Sequence, residues 1–225
     1  MAELRPVVAI VANPLETQFK IAVLPLLARG STREMAEFLA GLPAATANSP
    51  AGVLLRKHWA ALAGEFAEFH RLEKLEASAD VDGEQALLAA MVFRAQGDRE
   101  GARARLGNFP AELRARLERE PLNPAVWSNL GLMEAMLGRN DEALRGAKKA
   151  QELLPETRDA LEGPGFSQAL AVVQAWTGDK DRALAEIARL LRTPGGGGFF
   201  SNHYPNVHVL KTAPEYTPLR GDPRF

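Results

Sequence analysis

One stretch constrains the fold of this chain more than any other: Asn123–Thr157, NPAVWSNLGLMEAMLGRNDEALRGAKKAQELLPET. It contains two helical apolar patterns separated by Gly138. Small residues at Gly131 and Ala143 let two helices cross closely, Trp127 and Leu130 fill the interface between them, and Pro155 ends the second helix. A helix–glycine–helix break of this kind recurs at Gly30, Gly64, Gly97, Gly138 and Gly178, at spacings of 34, 33, 41 and 40 residues. Glycine suits the left-handed turn that closes a first helix, and Asp98 and Asp179 suit the start of the next. The economical reading is an all-α chain of five helical hairpins in register.

Counted from Pro124 as position 1, Trp127 falls at position 4, Leu130 at 7, Gly131 at 8, Ala143 at 20, Ala150 at 27 and Pro155 at 32. This resembles the tetratricopeptide repeat, a 34-residue helix–turn–helix with those residue types at those offsets. Two positions depart from the pattern: Glu134 stands where an aromatic is usual, and Ala147 where Phe or Tyr is usual. The third hairpin matches with Ala90, Phe93 and Ala102, and the fifth with Leu170, Ala171 and Ala183. In the second, Lys57 takes the small position, and in the first, Leu24-Pro25 lies inside a helix that it should kink. The resemblance implies a right-handed α-solenoid over residues 1–194, followed by a connector and irregular cap over 195–225. The wide third spacing predicts a broken or extended second helix around Pro110. The fourth predicts an extended helix ending at Gly163–Pro164–Gly165.

The tail, Pro218–Phe225 (PLRGDPRF), is similar to segments that close the repeat regions of large bacterial signalling proteins, with Ala213-Pro214 where Asp-Pro is usual. Those proteins carry a kinase, a nucleotide cyclase or a winged-helix DNA-binding domain ahead of the repeats. The resemblance covers residues 83–225. It implies a scaffold or sensor role, without catalysis.

Composition narrows the function classes. Twenty-seven basic residues against 28 acidic ones leave no overall field for nucleic acid. Zero cysteines exclude disulfides and thiolate chemistry within the chain, and suit either redox poise. A cytoplasmic setting is the first expectation, an extracytoplasmic one if the chain belongs to a membrane-anchored protein. No run of about 18 apolar residues exists, so no membrane insertion is expected. Val7–Ala12 does not read as the core of a signal peptide.

No residue set reads as catalytic, which leaves for an enzyme only a cryptic site assembled from distant residues. His58, His70, His203 and His208 lack ligand spacing, so neither a metal nor a cofactor is expected. Gly195–Gly198 lacks the Gly-Lys-Ser/Thr of a phosphate loop and reads as a linker. Arg220-Gly221-Asp222 belongs to the tail and needs no adhesive role. Ser31-Thr32-Arg33-Glu34 reads as a capping box.

In the repeat family, positions 2, 5, 9, 12 and 13 of each first helix reach the ligand in a concave groove. Here they select Leu87, Met91 and Arg94, then Ser128, Leu132, Ala135 and Met136, and then Gln168, Val172, Ala175 and Trp176. A looser phase adds Leu54 and His58. The set is apolar with a few polar points and suits a protein or peptide partner such as an amphipathic helix, with adaptable methionines and an aromatic anchor. Arg94 suits an acidic partner residue. The chain's own tail could also fill the groove, folding back with Phe199, Phe200, Tyr204 and Tyr216. The alternative function is self-association, in which the hairpins, particularly Val7–Leu27, pack against a second copy.

Overall fold

The computed structural model describes residues 14–75, 82–193 and 205–225. Among them the secondary structure is all helical, with no strand. The chain divides into two units, Met1–Asp80 and Val81–Phe225. Phe199, Phe200, Tyr204, His203, Gly195–Gly198 and the part of Val7–Leu27 before Pro14 lie outside the described residues.

In the first unit, α1 (Pro14–Arg29) continues through Pro25. It packs against α2 (Arg33–Ala40). A short α3 (Ala44–Ala47) leads to α4 (Pro50–Ala63), which pairs with α5 (Phe66–Glu73). Ser49 opens α4, its Oγ accepting from the Gly52 amide at 3.2 Å, and Gly64 closes it in the left-handed conformation at φ 75°. Lys57 is buried, its ammonium 5.5 Å from the centre of the Phe69 ring, so the aromatic face shelters a charge where the repeat pattern has a small residue. At α2 the capping-box expectation needs correction. Thr32 makes no side-chain cap bond, and Ser31 instead donates to the Glu34 carboxylate at 2.6 Å. Glu34 also pairs with Arg29.

The second unit runs α6 (Gly83–Ala95), α7 (Arg99–Leu106), α8 (Phe109–Arg119), α9 (Pro124–Leu137), α10 (Asn140–Leu153), α11 (Gly163–Thr177) and α12 (Lys180–Leu190). A short α13 (Val209–Thr212) and a 3₁₀ helix (Pro214–Leu219) follow. Helices α6 and α7, α9 and α10, and α11 and α12 pack as pairs. Helix α9 also lies against both α6 and α11. The turns between paired helices hold Gly97, Gly138 and Gly178 at φ 85°, 77° and 99°, a region only glycine enters without strain.

Helices α9 and α10 cross with their backbones in close contact. A Cβ on Gly131 would stand 2.8 Å from the Ala147 nitrogen and 2.9 Å from the Ala143 carbonyl oxygen. Gly146 faces it equally closely, with a Cβ there meeting the Gly131 Cα at 3.1 Å. Two glycines back to back, rather than one, let these backbones touch.

The extra length after the third hairpin is a separate helix, α8, begun with Pro110 in its first turn and packed on α9. Arg114 of α8 reaches the Glu134 carboxylate, which is only 1% exposed, and Arg139 reaches its other oxygen at 3.1 Å. Two guanidinium groups, one of them from α8, thus meet the buried Glu134 carboxylate.

The expectation for the fourth spacing is corrected. Helix α10 ends at Leu153, and Gly163–Pro164–Gly165 opens α11 instead of ending an extended α10. Between them the Asp159 carboxylate accepts the Leu161 and Glu162 amides, both at 2.9 Å, which turns the chain. Gly163 then passes so close to Glu156 that a Cβ would meet its Cα at 2.7 Å. Glu156 holds the turn in place, accepting from Ser167 of α11 at 2.6 Å and from Arg189 of α12 at 2.9 Å. Those bonds, Arg189 first, hold its carboxyl below the usual range.

Candidate functional site: the face of α6 and α11

The residues selected for a groove do not form an open surface. Leu87, Met91, Ser128, Leu132, Ala135, Met136, Gln168, Val172 and Ala175 are buried, Met91 completely and Met136 to 2% exposure. Arg94 and Trp176 are half-buried. The buried side chains are packed within the protein, the covered state that the same spacing also allows. Apolar residues at helical spacing mark a face that will be covered and carry no record of what covers it. Leu54 and His58 belong to α4 in the first unit, both half-buried, with the His58 Nδ1 2.9 Å from the Leu54 carbonyl oxygen.

Part of the cover in the second unit is the chain's own C-terminal segment. The 3₁₀ helix packs against both α6 and α11, the helices that flank α9. Its contacts are specific. The Gln168 side-chain amide donates to the Tyr216 hydroxyl at 2.9 Å, and the Trp176 indole N–H donates to the Glu215 carbonyl at 3.0 Å. Arg94 of α6 lies over the Trp176 ring at 5.2 Å, so three of the selected residues from two helices converge at this place. Helix geometry brings them there, because Gln168, Val172 and Trp176 repeat every four residues along one stripe of α11.

The segment itself is amphipathic. Val209, Ala213, Tyr216 and Leu219 are buried at spacings of four, three and three residues, while Val207 and Lys211 are exposed. The sequence carried this signal, since the anchors follow helical periodicity, but the prolines at 214 and 218 and the shortness of the helical run hide it. Asn206 starts α13 by accepting the His208 and Val209 amides at 2.9 and 3.1 Å. Arg220 straps the segment together, donating to the Ala213 carbonyl and to the Thr217 hydroxyl at 3.1 Å. The end of the tail is fastened to α12 by Arg224, which reaches Asp181 at 2.7 Å and Asp222 at 2.9 Å. These neighbours hold the Asp222 carboxyl down at about 2, the Arg224 side-chain bond contributing most.

The docked arrangement is imperfectly satisfied. Burial pushes the Glu215 carboxyl up to about 7, against the opposing pull of Arg220. The same burial lowers Arg220 and Arg94 from the ordinary guanidinium range. Arg94 Nε and Ser128 Oγ on the helices, and Thr212 Oγ1 and Arg220 Nε on the segment, have no hydrogen-bond partner within the protein. Each such atom typically costs about 1–3 kcal/mol when desolvated. An interior evolved only for cohesion would place apolar atoms at these points.

No family model matches the chain, and neither a curated protein nor a solved structure matches it. The site therefore rests on its own geometry. Among the described residues no group of three His, Asp or Glu side chains gathers as a metal site would require, and no helix is long and apolar enough to cross a membrane. What the arrangement can do chemically is hold a short helical segment by apolar anchors and two directional hydrogen bonds.

Proposed function

We propose that this chain is a non-catalytic scaffold for protein–protein interaction. In this reading its helix pairs are tetratricopeptide-like hairpins stacked as a right-handed solenoid, and the first helices present a groove to a protein or peptide segment. The observation that carries the reading is the C-terminal 3₁₀ helix, Pro214–Leu219, seated on α6 and α11. A surface that receives one such segment through Gln168 and Trp176 has the chemistry of a peptide-binding groove. The similarity of the Pro218–Phe225 tail to closing segments of bacterial signalling proteins supports reading the scaffold as part of a signalling or regulatory assembly.

Selection of a displayed random-peptide library against the immobilised full chain tests this. The expected result is a family of related amphipathic binders whose affinity falls about tenfold or more in Trp176→Ala. Enrichment no greater than on an unrelated helical protein would overturn the scaffold reading.

A further inference from the structure

We propose that the face of the second unit formed by α6 and α11 is a docking site for a tyrosine-anchored amphipathic segment of a partner protein, and that residues 209–219 are its exchangeable occupant. The inference rests on the scaffold reading and names the partner's chemistry. The partner carries apolar anchors spaced as Val209, Ala213, Tyr216 and Leu219, with the aromatic hydroxyl reaching Gln168. A backbone carbonyl precedes it to accept from Trp176, and a neutral side chain stands where this chain has Glu215.

Three observations argue for exchange over permanent burial. Besides the buried apolar anchors, the contacts include directional bonds to polar side chains, Gln168 and the Trp176 indole. Docking of the chain's own segment also buries a carboxyl, and Thr212 and Arg220 of that segment have buried polar atoms without hydrogen-bond partners. A segment lacking the carboxyl would make the same anchors without that cost, and so has a margin with which to compete. Finally, the occupant follows Leu190 of α12 only after an intervening stretch that includes the four glycines Gly195–Gly198, so it is a separate piece of sequence rather than a continuation of a helical hairpin.

The test keeps every residue of the chain. A protease recognition sequence is inserted between Gly196 and Gly197, the purified protein is cut, and a fluorescein-labelled synthetic peptide of residues 205–225 is added in excess. The expected result is that the cut protein keeps its circular dichroism and its own fragment is replaced by the labelled one, followed by anisotropy and by mass spectrometry of the released fragment. A peptide carrying Tyr216→Ala should compete at least about tenfold less well, and one carrying Glu215→Gln about a hundredfold better at pH 7.5.

Unfolding on cutting, or retention of the fragment until global unfolding, would make 205–225 part of the core and overturn the proposal. Equal competition by the Tyr216→Ala peptide would overturn the tyrosine anchor. A concentration-dependent dimer of the uncut chain that Tyr216→Ala abolishes would give the face to a second copy and likewise overturn it. Failure of exchange in a folded cut protein leaves the scaffold reading standing, because library binders need not displace the tail.

Discussion

Two interfaces of the second unit join their partners by opposite means. Between α9 and α10, Gly131 and Gly146 bring backbone against backbone, and the two small residues leave no room for any side chain. Between α6, α11 and the C-terminal segment, contact is made by side-chain hydrogen bonds, a cation over an indole, and a buried carboxyl. The first interface has one acceptable occupant, fixed by shape. The second is specified by chemistry that another segment can reproduce. The contrast separates what the fold needs from what the surface is for.

The largest expected effect probes the second interface through pH. Glu215 has its carboxyl raised from 4.5 to about 7 when docked. The docked state therefore holds the proton more tightly, so docking is fully favoured below pH 4.5 and weakens as pH rises to 7. Arg220 on the same segment acts on this carboxyl, α6 carries Glu84, Arg94 and no other charged residue, α13 carries Lys211, and α11 carries no charged residue. Chemical denaturation across pH 4.5–7.5 should show the wild type losing about 3 kcal/mol relative to Glu215→Gln. Parallel pH profiles of the two proteins would remove the buried carboxyl from the account.

The next effect probes the first interface. Gly131→Ala should destabilise the chain by about 2 kcal/mol, because its methyl meets backbone nitrogen and oxygen that cannot move independently of α10. Urea denaturation measures it, and a loss below half that size would show that α9 and α10 can separate as easily as the tail can leave. The smallest effect is Tyr216→Phe. It keeps the ring and removes one hydrogen bond to Gln168, and should lower the midpoint by the equivalent of about 1 kcal/mol. Together the three values rank shape above single hydrogen bonds while assigning the pH dependence to one residue.

Much of the local structure was legible because its causes are local. Helical content follows from apolar periodicity, and a glycine between two such patterns, as at Gly64, Gly138 and Gly178, leaves a mark in the sequence where the backbone turns left-handed. What was not legible depends on partners distant in the chain. Glu134 looks like a defect until Arg114, twenty residues earlier, is seen beside it. Gly163–Pro164–Gly165 fits either end of a helix. Only the close pass of Gly163 over Glu156, in a turn fixed by Asp159, makes it a beginning. Met91 and Met136 have the spacing of a groove lining and are fully covered, since periodicity identifies a face and not its occupant. The site was half visible for the same reason: Gln168, Trp176 and Arg94 could be selected from the helices, whereas Glu215, Leu219 and Arg220 belong to a segment whose docking is non-local.

Chain order gives the covered face a history during synthesis. The ribosome completes α6 and α11 before it makes the residues that shelter them, and at about 5–20 residues per second the interval is a few seconds. Throughout that time the Trp176 indole and its neighbours have no tail to meet, so a nascent chain offers the face to whatever stands nearby. A premature stop between Leu191 and Pro205 would make that brief state permanent. The product would keep its helix pairs and display an adhesive stripe along α6 and α11, which the cell would meet as a substrate for chaperones and proteases.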